Sequence, residues 1–451
     1  MLNCFAAEKS SDAVSIIFIT ESDFNSWKSK QSSLTQNWLS AQNFLGKTDS
    51  HCLIPDKNGK IDFALAIHAD KNNFTYMGSL ANSLPEGIYC LEKLNHQAVL
   101  FWGMGAYQFT KYKKPKRNPA KLILPKGFEN TVAQLHAIYT VRNLINTPTE
   151  NMSPADLSAA AKKLASDFKA DFSEIIGDNL LKENYPAIHA VGRASTTPPR
   201  LIELNWGNKK HPKITLVGKG VCFDTGGLDI KPAAGMLGMK KDMGGAAHAL
   251  GLASLIMQAK LPVKLRVLIP AVENVISGNA YKPGDVISTR KGLTVEIGNT
   301  DAEGRVILSD ALTEASSENP DLLLDFATLT GAARIAVGTD ISALFTDDNK
   351  LAEEILYYGE KAQDPIWRMP IYKPYRKLID STIADVNNAS SSGYGGAITA
   401  ALFLKEFVSD GISWAHFDIM AWNASTSAGH PEGAEAMAIR AVFEYIYNRY
   451  K

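Results

Sequence analysis

The sequence predicts an α/β protein of two domains: a small N-terminal α/β domain and a larger C-terminal α/β sandwich around a mostly parallel sheet. At 451 residues the chain is longer than one hydrophobic core usually supports. Beyond residue 150, strand-like and helix-like segments alternate, which is the pattern of a parallel sheet. Runs such as residues 264–271 and 321–327 are apolar almost throughout, as expected of strands covered by helices on both faces.

The boundary between the domains is predicted in or just before a long helix. Residues 129–145 carry apolar side chains at helical spacing, and Pro148 stops the helix soon after Asn146. The predicted division is therefore an N-terminal domain over 1–128, a linker helix over 129–152 and the larger domain over 153–451.

The N-terminal domain is predicted to contain strands at 13–20, 62–69 and 98–107, with a helix around 29–44. Residues 111–126 are basic and contain prolines. This segment could contact phosphate or nucleic acid, but a short basic run at a composition shift is more typical of a solvated linker.

The larger domain is predicted to begin with a helix over 153–168, with Ser153 as its N-cap and Pro154 in its first turn. Predicted strands follow it, at residues 187–191, 200–206, 213–217, 264–271, 321–327 and 414–419.

Composition argues against several classes of protein. Lys+Arg equals Asp+Glu at 47 each, so the formal net charge is zero and a mainly nucleic-acid-binding role is disfavoured. The four cysteines show no CxxC spacing, which fits a reducing compartment. No apolar run reaches the ~20 residues that span a bilayer, and acidic and polar residues interrupt the first dozen positions before a signal peptide could form. We therefore expect a cytoplasmic protein without a membrane partner.

The chemistry is concentrated between residues 217 and 312. The charged residues of this stretch lie among glycines at predicted strand and helix ends: Lys219, Asp224, Lys231, Asp242, Asp301, Glu303 and Arg305. Lys219 and Asp224 are predicted just past a strand that ends at glycines, where open α/β sheets bind ligands. Asp242 is predicted to open a helix over 242–258, and Asp301 and Glu303 precede a helix over 303–315 on one side of an extended segment.

Taken alone, Asp242 is best explained as an N-cap, and the alternative for Asp301 and Glu303 is that they are helix-start acids favoured by the helix dipole. Four such acids, all flanked by glycines at element junctions, are hard to explain as independent caps. Carboxylates without histidine or cysteine suit Mg²⁺, Mn²⁺ or Zn²⁺, and four of them can hold two ions if some bridge. The stretch lacks GxxxxGK[ST] and a helix-opening GxGxxG, so nucleotide binding is the weaker alternative.

Three motifs, VGKGxxFDxGG, DMGGAA and NTDAEGR, resemble in order and spacing those of the leucyl aminopeptidase family, the cytosol aminopeptidases of peptidase family M17. RNLINTPTENMSPADL, residues 142–157, is similar to the segment between that family's domains. The resemblance implies a metal-dependent exopeptidase that releases N-terminal amino acids, leucine-like ones preferred, from peptides through a water activated by two divalent ions.

The resemblance also implies residue roles. Lys219, Asp224, Asp242 and Glu303 would hold one ion, and Asp224, Asp301 and Glu303 the other. Lys231 would face the substrate carbonyl, and Arg305 would hold a bicarbonate ion as general base. The implied substrate-binding residues are Met239, Thr328 and Gly331 around the N-terminal side chain, and Leu329, whose carbonyl binds the free amine. A homohexamer with Mn²⁺ or Zn²⁺, and possibly Mg²⁺, is implied as well.

The chain departs from the family pattern at two places. Thr225 replaces the serine of DSGG and keeps a hydroxyl, and Met420 is a bulkier residue in a DIAG-like run. Two alternatives from other classes remain open at this point. One is a DNA-binding accessory that uses Lys113, Lys114, Lys116 and Arg117, and the other is a phosphotransferase that uses the glycine-rich junctions.

Overall fold

The computed structural model describes residues 2–7, 12–70 and 73–451. Met1 and residues 8–11 belong to the stretch in which we expect no signal peptide, and they lie outside the described residues. Within the described part of the chain, no helix is long and apolar enough to cross a membrane.

The chain divides into two units, Met1–His136 with Ala424–Glu432, and Ala137–Asn423 with Gly433–Lys451. The predicted boundaries at residues 128 and 152 stay a prediction.

The first unit is built on one six-stranded sheet. Its elements in chain order are β1 (Phe5–Ala6), β2 (Val14–Thr20), α1 (Phe24–Ser29), α2 (Ser33–Ala41), β3 (Ser50–Pro55), β4 (Ile61–His68), α3 (Met77–Ser83), β5 (Ile88–Leu91), α4 (His96–Gly105) and β6 (Lys121–Ile123). The strand order is β1-β6-β5-β2-β4-β3, and only the β3–β4 pair is antiparallel. The predicted strands at 13–20 and 62–69 are confirmed as β2 and β4.

Two predictions for this unit are wrong. The run 98–107 is not a strand but lies in α4, whose N-cap Asn95 accepts a hydrogen bond from the Ala98 amide. Residues 98–105 are all buried, so the helix shows no polar face, and a short apolar run alone does not distinguish helix from strand. The basic segment 111–126 is not wholly a linker either, because its apolar end forms β6 inside the sheet.

A long helix, α5 (Glu129–Asn146), follows, as the sequence predicts. The remaining elements are α6 (Pro154–Phe168), β7 (Asp171–Ile176), α7 (Asn179–Lys182), α8 (Pro186–Gly192), β8 (Arg200–Trp206), β9 (Lys213–Gly218), β10 (Gly220–Asp224), α9 (Ala233–Met236), α10 (Gly244–Gln258), β11 (Lys264–Asn274), β12 (Val286–Ser288), β13 (Thr294–Glu296), α11 (Glu303–Ser317), β14 (Leu322–Ala327), α12 (Gly331–Val337), β15 (Ser342–Phe345), α13 (Asn349–Lys361), β16 (Ile366–Met369), β17 (Val386–Asn387), α14 (Gly396–Lys405), β18 (Trp414–Asp418), β19 (Trp422–Asn423), β20 (Gly433–Ala434) and α15 (Ile439–Tyr450).

The second unit contains a nine-stranded sheet in the order β16-β15-β18-β14-β9-β11-β8-β7, with β10 paired to β11. The central pairs are parallel, whereas β8 runs antiparallel to both β11 and β7, and β15 antiparallel to β18. Every residue of β14 and β18 is buried. Helix α10 packs on β9 and β14, and α11 packs on β9 and β11, so the predicted α/β sandwich around a mostly parallel sheet is confirmed.

The predicted strand at 187–191 is wrong, because these residues lie in α8. Pro186 occupies its first turn, and the buried carboxylate of Asp310 accepts hydrogen bonds from the amides of Ala187 and Ile188. A carboxylate that binds the free amides at a helix start stabilises the helix. The run AIHAV is mostly apolar because α8 is mostly buried, and such a short apolar run has the same pattern as a buried strand.

Candidate metal centre

Lys219 lies one residue past β9, at the carboxyl end of the parallel strands. Its amide donates to the Phe326 carbonyl of the neighbouring β14 at 3.0 Å, which fixes the backbone. Its side chain is buried, and Nζ lies 2.8 Å from Asp242 Oδ2 and 2.9 Å from Glu303 Oε1. Nζ also donates to the Thr328 carbonyl at 3.0 Å. The strand end thus directs the amine into a group of acids.

Asp224 is the last residue of β10, a second short strand, rather than part of a loop after β9 as the sequence analysis expects. Its Oδ1 accepts hydrogen bonds from the Gly226 amide at 2.8 Å and from Asn274 Nδ2 at 2.9 Å. Gly226 and Gly227 both have positive φ, and a Cβ on Gly226 would lie 2.4 Å from the Asp229 carbonyl oxygen. The two glycines therefore permit the turn that holds this carboxylate.

Asp242 lies in a 3₁₀ turn over Met239–Met243, and α10 begins only at Gly244, so the prediction that Asp242 opens this helix is wrong by two residues. Its Oδ1 accepts from Thr328 Oγ1 at 2.7 Å, and its Oδ2 is the atom that faces Lys219. The tight turn brings the buried carboxylate toward the strand ends.

Asp301 lies in the turn before α11, and Glu303 is the first residue of that helix. The N-cap position, Ala302, has no capping side chain, so the helix start does not use these acids as caps. The carboxylate of Glu303 is 1% exposed, whereas that of Asp301 is 33% exposed. The predicted extended segment is in fact a turn into the helix. In this turn Glu303 is buried and Asp301 is partly exposed.

Asp224, Asp242 and Glu303 each offer an oxygen within 4.8 Å of the others. Within the described part of the chain, Asp242 Oδ2, Glu303 Oε1 and Asp301 Oδ1 find no hydrogen bond of suitable geometry, although lysine amines lie close. Buried anionic oxygens without directed donors are costly unless cations bind them. A set of oxygen donors with one amine suits hard or borderline divalent ions, so the residues fit the predicted metal centre.

The charges of the centre are strongly interdependent. Burial and the nearby Asp242 raise the pKa of Asp224 to about 6, and burial together with Asp224 raises that of Glu303 well above its ordinary value. Burial alone would lower the pKa of Lys219, but Asp242, Glu303 and Asp224 outweigh it and raise the pKa. The pKa of Lys231 is raised against burial by Asp224, at 2.8 Å, and by Asp301. The cluster therefore favours bound cations.

A cavity of about 480 Å³ opens over this cluster. All the predicted site residues except the buried Glu303 line it: Lys219, Asp224, Lys231, Met239, Asp242, Asp301, Arg305, Thr328, Leu329 and Gly331. Arg305 Nη1 donates to the Asn388 carbonyl at 2.8 Å, and burial lowers the pKa of its guanidinium to about 10. The structure thus places the whole predicted set around one cavity, where it could bind a metal ion and a small polar substrate.

The sequence analysis missed residues that shape the same site. Asn274 at the end of β11 binds Asp224, and Asp418 at the end of β18 accepts hydrogen bonds from the Leu329 and Thr330 amides. Lys241 and Arg334 also line the cavity, and burial lowers the pKa of Lys241 to about 8. The strand-end positions of Asn274 and Asp418, and the place of Lys241 beside Asp242, were the available signals.

Comparison with known proteins agrees with this geometry. A model of the cytosol aminopeptidase family's catalytic domain matches residues 139–443, and one of the M17 aminopeptidase N-terminal domain matches residues 14–125. A probable cytosol aminopeptidase of Aquifex aeolicus is 41% identical over 357 residues, covering 76% of this chain and 72% of its own.

Two solved structures are similar over nearly the full length. The crystal structure of a cytosol aminopeptidase from Coxiella burnetii is 48% identical, with a TM-score of 0.97 and complete coverage of both chains. The bottromycin maturation enzyme BotP in complex with Mn is 29% identical, with a TM-score of 0.86 over 98% of this chain and 100% of its own.

Proposed function

The chain belongs to the cytosol aminopeptidase family, peptidase family M17, and on that premise we propose that it removes leucine-like N-terminal residues from peptides with two divalent ions in the centre described above. Membership makes it a metal-dependent aminopeptidase, a hydrolase that acts as a metallo-exopeptidase. The observation that supports the finer proposal is the convergence of three buried carboxylates within 4.8 Å beside Lys231, at a cavity of about 480 Å³.

Lys219, Asp224, Asp242 and Glu303 would hold one ion, and Asp224, Asp301 and Glu303 the other. When bound, the ions supply an acidified water and electrostatic stabilisation of the developing oxyanion. Lys219 Nζ must lose its proton to act as a ligand. Because Nζ is buried between the carboxylates of Asp242 and Glu303, a metal ion bound to these carboxylates would displace that proton.

Lys231 is placed to act differently. Its side chain is 16% exposed and it lines the cavity, so it can remain charged and donate to the oxygen of a scissile carbonyl. Arg305 would hold a bicarbonate that accepts a proton during hydrolysis. One of the nitrogens of its guanidinium, Nε, has no hydrogen-bond partner among the described residues, which leaves a donor for an anion.

Met239, Thr328 and Gly331 would surround the N-terminal side chain, and the carbonyl of Leu329 would receive the free amine. Because the free amine of the substrate would bind at this carbonyl, only a peptide with an unblocked N-terminus would be cut. The Mn complex of BotP supports Mn²⁺ as one of the ions, with Zn²⁺ or Mg²⁺ as alternatives. We also propose a homohexamer and a cytoplasmic location, consistent with the name cytosol aminopeptidase that the relatives carry.

The test is a screen of metal against substrate on the purified protein. We expect a chelator to abolish hydrolysis of amino-acyl amides and anilides, and Mn²⁺, Zn²⁺ or Mg²⁺ to restore it, because the ligand set contains only carboxylates and an amine. Peptides with an acetylated N-terminus are the matched control and should remain intact. Full activity of a sample shown by elemental analysis to contain no metal would contradict the proposal.

A further inference from the structure

We propose that Lys241 and Arg334 form a subsite for the side-chain carboxylate of an N-terminal glutamate or aspartate. The inference rests on the proposed function and adds acidic N-terminal residues to its substrates.

The cavity is lined by more cationic than anionic side chains. Five cationic side chains line it, against three carboxylates. Lys219 and Lys231 lie 2.8–2.9 Å from carboxylate oxygens of the centre, and Arg305 donates to the Asn388 carbonyl. In the described part of the chain, Lys241 and Arg334 have no carboxylate oxygen within 4.0 Å. Arg305 is the residue proposed to hold bicarbonate, so Lys241 and Arg334 are the cations of the cavity that remain available to a carboxylate of the substrate.

Two acids, Asp242 and Asp418, face Lys241 and are bound to other partners. Asp418 is engaged with its neighbours, since its Oδ1 accepts from the Leu329 and Thr330 amides and its Oδ2 from Thr330 Oγ1. Asp242 Oδ1 accepts a hydrogen bond from Thr328 Oγ1, and Asp242 Oδ2 faces Lys219 Nζ. Lys241 is only 6% exposed, so water cannot fully solvate its ammonium. A buried ammonium without its own acceptor is costly, and a ligand carboxylate would relieve that cost.

Arg334 lines the same cavity. A Cβ built on Gly331 would lie 3.3 Å from Arg334 Nη2, so the guanidinium lies beside the residue proposed to border the side-chain pocket. Its Nη1 is 3.5 Å from Met420 Sδ, and a thioether is only a weak acceptor. The guanidinium thus keeps donors in the planar arrangement that matches a carboxylate.

Lys241 and Arg334 line the same cavity as Met239, Thr328 and Gly331, the residues proposed to surround the substrate's first side chain. An acidic first residue would bring its carboxylate to both cations, while its amine and scissile carbonyl keep the positions that a leucine substrate uses. A lysine side chain would meet two like charges and be disfavoured.

The experiment compares leucine, glutamate, aspartate and lysine p-nitroanilides with the metal-loaded protein. Anilides have no C-terminal carboxylate, so a contact with the far end of a peptide cannot produce the effect. We expect glutamate or aspartate anilide to be hydrolysed with a higher kcat/KM than lysine anilide. In Lys241→Met, the ratio of kcat/KM for glutamate to that for leucine should fall roughly 10- to 100-fold, the range for losing a hydrogen bond between charged groups.

Arg334→Met should lower the same ratio and serves as the second variant if Lys241→Met does not fold. The matched control is Lys240→Met, which removes the same charge from the same turn. Lys240 donates to the Asn146 carbonyl and does not line the cavity. The glutamate-to-leucine ratio of kcat/KM in Lys240→Met should therefore stay at the wild-type value.

The outcomes separate the two proposals. Hydrolysis of leucine anilide with an unaltered ratio in both Lys241→Met and Arg334→Met overturns the subsite and leaves the proposed function intact. An equal fall of this ratio in Lys240→Met also overturns the subsite, because the effect would then come from the net charge of the protein and not from a contact with Lys241. Failure of the metal-loaded wild type to cleave any anilide overturns both proposals.

Discussion

Gly304→Ala tests the metal centre without changing any proposed ligand. Gly304 is the second residue of α11 and follows Glu303 directly. A Cβ at this position would lie 2.5 Å from Lys219 Cε, 2.7 Å from Nζ and 2.8 Å from Cδ. The added methyl group would therefore occupy the space that the end of the Lys219 side chain now fills.

The displacement follows from these distances. Ordinary carbon–carbon contacts are about 3.5–4.0 Å, so the lysine end must move by roughly 1 Å. Ligand distances in metal sites hold within about 0.2 Å, so this shift is enough to remove Nζ from a ligand position. Disturbing the support of a metal ligand typically costs about 10–100-fold in metal affinity, and we expect a loss in that range.

The assay is a titration of the chelator-treated protein with Mn²⁺ by calorimetry, with thermal unfolding as a check on the fold. Gly235→Ala is the matched control, because a Cβ there would lie 3.6 Å from Pro232 Cγ, an ordinary contact. The control should bind Mn²⁺ like the wild type. If a folded Gly304→Ala protein also binds Mn²⁺ with wild-type affinity, the reasoning that makes Lys219 Nζ a ligand is refuted.

Two further predictions concern the ligands themselves. Asp224→Ala and Glu303→Ala should each lose more metal per chain than Asp242→Ala, since a bridging carboxylate serves both ions; equal metal content by elemental analysis in all three variants would contradict the bridging roles. Lys219→Ala should weaken metal affinity and be partly rescued by excess metal, whereas Lys231→Ala should lose roughly 10²–10³ in kcat without rescue, as for a lost oxyanion donor. If added metal rescues only Lys231→Ala in measurements of kcat against metal concentration, the two lysine roles are reversed.

Much of the site could be predicted from sequence because each of its acids stands at a predicted strand or helix junction marked by glycine. The parallel sheet could be predicted because strands such as β14 are apolar on both faces. The strand predictions at α4 and α8 are wrong for the same reason. Burial on all sides removes the polar face by which helical periodicity is recognised, and what fixes these helices is a cap and a carboxylate, Asn95 and Asp310.

Other features depend on contacts between distant parts of the chain. Asn274 reaches Asp224 across 50 residues, and the Asp418 contacts with Leu329 and Thr330 span nearly 90. No local pattern encodes such pairs. Lys241 stands beside the proposed ligand Asp242. Whether its side chain faces the cavity or solvent depends on the 3₁₀ turn over Met239–Met243, and the predicted helix starting at Asp242 does not contain that turn.

The bond from Lys219 Nζ to the Thr328 carbonyl joins residues 109 positions apart. During synthesis, Lys219 and Asp224 leave the ribosome well before β14. Strand β14 directly precedes Thr328, and its Phe326 carbonyl accepts the hydrogen bond from the Lys219 amide. A nascent chain that ends before Thr328 has the acids but lacks the strand and the carbonyl that hold Lys219 among them. We therefore expect metal to bind after β14 has inserted beside β9, rather than to guide the folding of the segments made earlier.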